Sequence, residues 1–469
     1  MLIKFAVANY LSFKEAGELR MVASSERIHP HHVLRAPSRN HPNLLRATAI
    51  YGANAAGKSN LVKALKFMRN LVINGTKLEA KIAVQRFRLN SACLQQPSNF
   101  EIEFRVGNTN YAYHFSVDAE QIWAEELRTI TNSSDTLLYS RQTSPKGEVS
   151  VDFGPFFSRL KEKDRQILEF IVEGTRPNQL LLHETIERNV KWFRPVYDWF
   201  RKTLKIIEPN TESRSLEIRV GIDEEFRSFF ANILETAGTG ISAIQVEETG
   251  PEALVGLPAE LIADASQELA EHKYMLVRGS NGCRLVITKR DDELRMRKLT
   301  TVHTGNEQGS NIAFEVHEES DGTQRLFDLV PMLYELAIGD GECVYVVDEI
   351  GRSMHPHLIN MIMAMHLDPA NANKANQLII TTHETNLLDL DILRRDEIWF
   401  AEKREDGSTD LYSLSDFQPR YDKDIRRDYL VGRYGGIPFI GNTQQLRLPS
   451  LNPKIEVNQV EEVDVTPTF

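Results

Sequence analysis

The sequence predicts an α/β protein: a mixed or parallel sheet, an antiparallel β subdomain and an inserted helical region. Three observations carry this. "AIYGANAAGKSNLVKAL", residues 49 to 65, reads as a strand end, a glycine-framed turn and a helix start. "CVYVVDEI", from Cys343, has the short apolar run Val344 to Val347 of a central strand buried on both faces. Between them the hydrophobic rhythm changes twice.

In chain order, "IKFAVANY" near the start reads as a first strand. Over residues 45 to 72, Leu61, Ala64, Leu65, Met68, Leu71 and Val72 recur at helical spacing after the turn. Residues 99 to 131 alternate polar and apolar, with turns at Gly107-Asn108 and Asp118-Ala119, as an antiparallel meander does. From about 156 to 275 the pattern becomes mostly helical, and strands return from about 285. The expected organisation is 1–155 and 286–445 as two halves of one core, 156–285 as a mostly helical insertion, and 446–469 as a flexible tail. No internal repeat or long heptad run is visible.

Bulk composition excludes some classes. At 41% hydrophobic and 26% charged, the chain resembles ordinary globular proteins. A net charge of −11 gives no overall support for nucleic-acid binding, although basic patches at Lys289, Arg290, Arg295, Arg297 and Lys298 and at Arg420, Lys423, Arg426, Arg427 and Arg433 could supply it locally. Cys93, Cys283 and Cys343 form no CxxC pair, which fits a reducing cytoplasm. No apolar run reaches membrane-spanning length and the start lacks a signal-peptide pattern, so a soluble, cytoplasmic protein with no membrane contact is expected.

Gly52, Gly57, Lys58 and Ser59 satisfy G-x-x-x-x-G-K-[ST] in the strand-before, helix-after context this motif needs. Together with Asn54, Ala55, Ala56 and Asn60 they would form a turn whose amides cradle a phosphate. Lys58 would reach the terminal phosphates and the Ser59 hydroxyl would ligate Mg2+. Downstream, Asp348 ends a strand, where it can hold Mg2+, and Glu349 can polarise the attacking water. The double acid favours hydrolysis over binding alone. "EESDGTQRLFDLVPMLYEL" predicts a helix starting near Ser320 to Gly322 with a kink at Pro331. Its start is either a simple N-cap or a second phosphate-binding helix end. His383 follows the strand Gln377 to Thr381, at a sheet edge where ligands bind in such folds. "HPHH", His29 to His32, reads as a polar loop.

These four elements in this order resemble the ATP-binding-cassette (ABC) ATPases, in the branch shared with SMC proteins and OLD-type nucleases. Lys58 and Ser59 match the Walker A motif, Asp348 and Glu349 the Walker B, Ser320 and Gly322 the signature loop, and His383 the switch histidine. "NYLSF", residues 9 to 13, is similar to the family's "NFRSF", with Leu11 in place of arginine, and Asp321 stands where transporters have glycine. Over "EESDGTQRLFDLVPMLYEL", "VVDEIGRSMHPHL", "TTHETNLLDLDILRRDEIWF" and "YLVGRYGGIPFIG" the sequence looks like prokaryotic ATPases of abortive-infection and restriction-linked loci, of the AbiL and RloA type, with PARIS and Septu ATPases more distant. The resemblance covers about residues 1 to 442.

It implies an ABC-ATPase head that takes ATP and Mg2+, with Gln85 as a Q-loop metal contact and Glu349 and His383 as catalytic residues. Two chains would sandwich two ATPs as a homodimer or higher oligomer, with Arg352 and His355 near the crossing point or capping the next helix. The dimer would act as a switch in anti-phage defence, controlling an effector from a neighbouring gene, expected to be a Toprim-like nuclease of the RloB type. Two rivals are an SMC-like ATPase that clamps or repairs DNA without a dedicated effector, and a small-molecule kinase.

Overall fold

The computed structural model describes residues 1–213, 216–249, 274–278, 284–290, 293–305 and 310–437. Its centre is a six-stranded sheet in the order Leu204–Ile207, Cys343–Val347, Asn376–Thr381, Ala47–Tyr51, Ile398–Lys403 and Thr409–Ser413. All neighbours pair in parallel except the last two. Every residue of "CVYVV", "NQLIIT" and "ATAIY" is buried, as strands covered on both faces require. Alternate side chains serve different cores. Ile50, Val344, Val346 and Ile379 share one with Leu61, Leu65 and Met68 of the helix Lys58–Asn74. Tyr51, Tyr345, Val347 and Ile380 share the other with the helices Asp321–Ile338 and Pro356–Leu367.

The expected meander is the middle of a seven-stranded antiparallel sheet, ordered Val149–Phe153, Asp135–Thr143, Ile122–Ile130, Thr109–Val117, Ser98–Val106, Leu2–Ala8 and Gly17–Arg20. The first strand of the chain therefore belongs here. Gln377, fully buried, fastens the two sheets: its side chain accepts from the Leu2 amide at 2.6 Å and donates to the Leu2 and Leu45 carbonyls at 3.0 and 2.9 Å.

The mostly helical expectation for 156–285 needs correction. Helices occupy Glu162–Gly174, Leu181–Glu187, Leu216–Ile222 and Glu224–Thr236. Leu204–Ile207, however, is an edge strand of the central sheet, so this stretch is not simply inserted beside the core. Four residues following a helical turn are too few to display a period of their own. Ile241–Thr249 is also a strand, in a five-stranded sheet with Tyr274–Arg278, Arg284–Arg290, Glu293–Thr304 and Asn311–Glu315. A register irregularity between Ile241 and Ala243 breaks the alternation that would have signalled it. Asp321–Ile338 continues as one helix through Pro331. The tail 446–469 and Cys283 lie outside the described residues. Cys93 and Cys343 are buried free thiols. Among the described residues, no helix is long and apolar enough to cross a membrane.

Glu125 joins the antiparallel sheet to the helical region. Its fully buried carboxylate accepts from the Tyr113 and Tyr139 hydroxyls at 2.9 and 2.7 Å and from the Leu181 and Leu182 amides at 2.6 and 3.0 Å. Those amides open the helix Leu181–Glu187, where no side chain of its own N-cap serves. Glu125→Ala should lower unfolding free energy by about 3 kcal/mol or more, because two hydroxyls and two helix-end amides lose a charged acceptor. Chemical denaturation would check this, with Glu125→Gln expected to lose less.

Candidate functional site

The strand Ala47–Tyr51 runs into Gly52, and the helix Lys58–Asn74 begins right after Gly57. Gly57 has φ +108° and a Cβ there would stand 2.0 Å from Thr409 Oγ1; one on Gly52 would stand 2.3 Å from the Ala401 carbonyl oxygen. The loop is thus pressed onto the neighbouring strands where only glycine fits. Asn54 and Ala55 are exposed, Ala55 with φ +63°, while Ala56 is buried. Asn60 donates to Ser12 Oγ at 2.8 Å, which also accepts from Thr409 Oγ1 at 2.7 Å. "NYLSF" therefore braces the loop through Ser12.

Lys58 is 5% exposed. Its ammonium donates to the carbonyls of Gly52 at 2.8 Å and Ala53 at 3.1 Å, and lies 3.5 Å from His383 Nδ1. Desolvation lowers its pKa to about 8 against the opposing pull of Glu349 and Asp348. An ammonium cannot accept, so in that contact Nδ1 of His383 is the acceptor. Partial burial and then the Lys58 charge lower the His383 pKa.

Asp348, 4% exposed, sits at the carboxyl end of its strand. Its Oδ1 accepts from Ser59 Oγ at 3.1 Å and from Thr381 Oγ1 at 2.6 Å. The Thr381 hydroxyl also accepts from the Glu349 amide at 2.8 Å. Glu349 has φ +48°, a left-handed conformation that costs a side-chain-bearing residue about 1–2 kcal/mol. Thr381 therefore holds both acids in place. Sequence reasoning passed over it, although it stands two residues before His383 at a parallel strand end.

Other expected contributors are placed elsewhere. Ser320 caps its helix: its Oγ accepts from the Thr323 amide at 3.2 Å. A Cβ on Gly322 would stand 2.5 Å from the Ser353 carbonyl oxygen, so this glycine lets the helix approach the turn after the acid pair. The helix also carries Arg325, which the sequence did not single out. It is buried, donates to the Glu208 carbonyl at 3.3 Å, and leaves Nε and Nη2 without partners. Burial lowers its pKa, while Asp328, Asp348 and Glu349 act in the opposite direction.

The Gln85 side chain is exposed and bonds to neither Ser59 nor Asp348; its backbone carbonyl accepts from Leu11 at 2.8 Å. The segment is held by its backbone beside "NYLSF". Arg352 donates to Asn210 at 2.7 Å, and His355 caps the helix Pro356–Leu367. In the basic stretches Lys298 lies 3.5 Å from both Glu247 and Glu315, and Arg420 and Arg433 pair with Asp422 and Asp428. The side chains of Lys289, Arg290 and Arg295 lie outside the described residues.

These residues fit a nucleoside triphosphate with a divalent cation. The Lys58 ammonium is nearly dehydrated with only two carbonyls and a ring nitrogen around it, so an anion would suit it better than its present partners. The loop has the glycines that close backbone approach requires. Ser59 and Asp348 together offer the hard oxygen donors that Mg2+ prefers.

A family profile described as "AAA domain, putative AbiEii toxin, Type IV TA system" matches residues 47–389, from the strand before the loop to just past His383. No curated protein matches the sequence. Among solved structures the chain is similar to an SMC head domain from Thermotoga maritima, at 12% identity and a TM-score of 0.37, over 88% of this chain and 98% of that one. Another, an SMC head bound to the C-winged helix domain of ScpA, is 12% identical with a TM-score of 0.37, over 89% of this chain and 99% of that one.

The buried lysine has a measurable cost. With its pKa lowered to about 8 in the folded chain, the unfolded state binds more protons between that value and the ordinary 10.5. Stability should therefore rise with pH across this window as the penalty is relieved. Lys58→Met is expected to be more stable than wild type near neutral pH, by up to about 3 kcal/mol, with the gap closing between pH 8 and 10.5. Denaturant titrations at several pH values would reveal it.

Proposed function

We propose that this chain, which belongs to the AAA-domain family described as AbiEii-type toxin of type IV toxin–antitoxin systems, binds and hydrolyses ATP as a switch. The observation that carries this is the convergence of Lys58, Ser59, Asp348, Glu349 and His383 on one sheet edge, with Thr381 bonding both acids. Bound Mg-ATP supplies the γ-phosphoryl group and the cation that screens its charge. Lys58 exchanges the Gly52 and Ala53 carbonyls for terminal phosphate oxygens, and the loop amides bind the remaining oxygens. Ser59 and Asp348 hold the cation. Glu349, its backbone fixed by Thr381, orients a water and takes its proton, and the His383 imidazole beside Lys58 donates to the γ-phosphate.

The exposed N-terminus of the helix Asp321–Ile338, with Ser320 and Gly322, would meet the nucleotide held by a second copy. ATP then favours a closed homodimer, and hydrolysis reopens it. We assign this cycle to an abortive-infection type of defence against phage, of the AbiL and RloA kind and more distantly like PARIS and Septu. There it would govern a neighbouring effector, such as a Toprim-like nuclease. Support comes from the family's toxin–antitoxin description and from the sequence resemblance over residues 1 to 442.

Glu349→Gln should bind Mg-ATP with near-wild-type affinity, hydrolyse it at least about 100-fold more slowly, and accumulate as an ATP-dependent dimer in sedimentation. A variant that turns over normally would remove Glu349 from its role. Affinity capture of the same variant from its host with Mg-ATP should recover one stoichiometric nuclease-like protein. Recovery of DNA with repair proteins would instead favour a solitary DNA clamp.

A further inference from the structure

We infer that His29, His31 and His32 form a binding site for a divalent transition-metal ion of the zinc class, separate from the nucleotide site. "HPHH" is not the polar loop its composition suggests. His29, with a left-handed backbone, precedes a one-turn helix, Pro30–His32, and His32 is buried. One ring nitrogen from each histidine lies within 4.8 Å of the other two, and among the described residues no other group of three His, Cys, Asp or Glu meets that test. The ring centroids are 4.5, 4.8 and 5.9 Å apart. Imidazoles bonded at about 2.0–2.1 Å around a tetrahedral ion place their centroids about 5 Å apart.

One ring nitrogen each of His29 and His32 is already engaged. His29 Nε2 is 2.8 Å from the Leu390 carbonyl oxygen, and His32 Nδ1 is 3.0 and 3.1 Å from the two Glu397 oxygens. With those two nitrogens donating, the lone pairs of His29 Nδ1 and His32 Nε2 are left for an ion. Ligating histidines are oriented in this way by a carbonyl or a carboxylate. Arg46, which donates to the His31 carbonyl at 3.2 Å, and Arg394 oppose a cation, whereas Asp396 and Asp368 near the histidines favour one. Three imidazoles select Zn2+, Co2+ or Ni2+ over Mg2+, which prefers oxygen ligands. His31 also lines a cavity of about 650 Å³ with Met1, Arg35 and Glu342. All three ligands come from one segment, but their partners lie at Leu390 and Glu397, just before the strand Ile398–Lys403 that pairs with the phosphate-loop strand. A bound ion would brace that junction.

The test is a Zn2+ titration of the chelator-stripped full chain against a chromogenic competitor, paralleled by Co2+ absorption and thermal melts. One tight equivalent per chain is expected, with a zinc-dependent rise in melting temperature. His31→Ala, at a partly exposed position, should weaken binding about 100-fold and abolish the zinc-dependent rise while its metal-free melting temperature stays near wild type. Asp348→Asn should retain the equivalent, which separates it from the nucleotide site. Absence of a tight equivalent, its persistence in His31→Ala, or its loss in Asp348→Asn would each overturn the assignment.

Discussion

The parallel strand Asn376–Thr381, seated between Cys343–Val347 and Ala47–Tyr51, is the constraint on which everything else depends. Parallel pairing forces all three strands to end at the same edge of the sheet. The Val347↔Ile380 and Thr381↔Ile50 register then brings Asp348, the Thr381 hydroxyl and the phosphate loop within hydrogen-bond reach. A shift of one residue would turn Thr381 to the opposite face and uncouple the acids from Ser59.

Around that edge the chain accepts local penalties. Lys58 is nearly dehydrated, Arg325 buries two donors without partners, and Glu349 adopts a left-handed backbone. Each is unfavourable taken alone, and they lie near one another. Such clustering marks a surface arranged for a ligand more than for stability. The stabilising polar contacts lie elsewhere, in the fully satisfied carboxylate of Glu125 and in the bridge made by Gln377.

Gly57 and Gly322 illustrate how one residue type serves different ends. Gly57 has a left-handed φ and faces Thr409, so both backbone and space require it. Gly322 lies in a helix and matters through its closeness to Ser353, which couples the start of that helix to the turn after Glu349.

Much of the site was legible because its parts are local. The loop lies within one strand–turn–helix unit, and the apolar runs at Cys343–Val347 and Asn376–Thr381 are long enough to mark buried strands. Leu204–Ile207 was not legible, since four residues carry no period, nor was Ile241–Thr249, whose irregular register hides its alternation. Thr381, Ser12 and Arg325 escaped notice because their partners are remote in sequence: Asp348, Thr409 and the Glu208 carbonyl. His32 looked like a loop residue for the same reason, with Glu397 as its partner. The sequence by itself determined the strand, turn and helix that make a phosphate loop, because backbone propensity and glycine spacing act between near neighbours. Only the tertiary structure decided which hydroxyl positions the acids, which lysine loses its water and which histidines meet, because burial and hydrogen bonding are properties of surfaces brought together by folding.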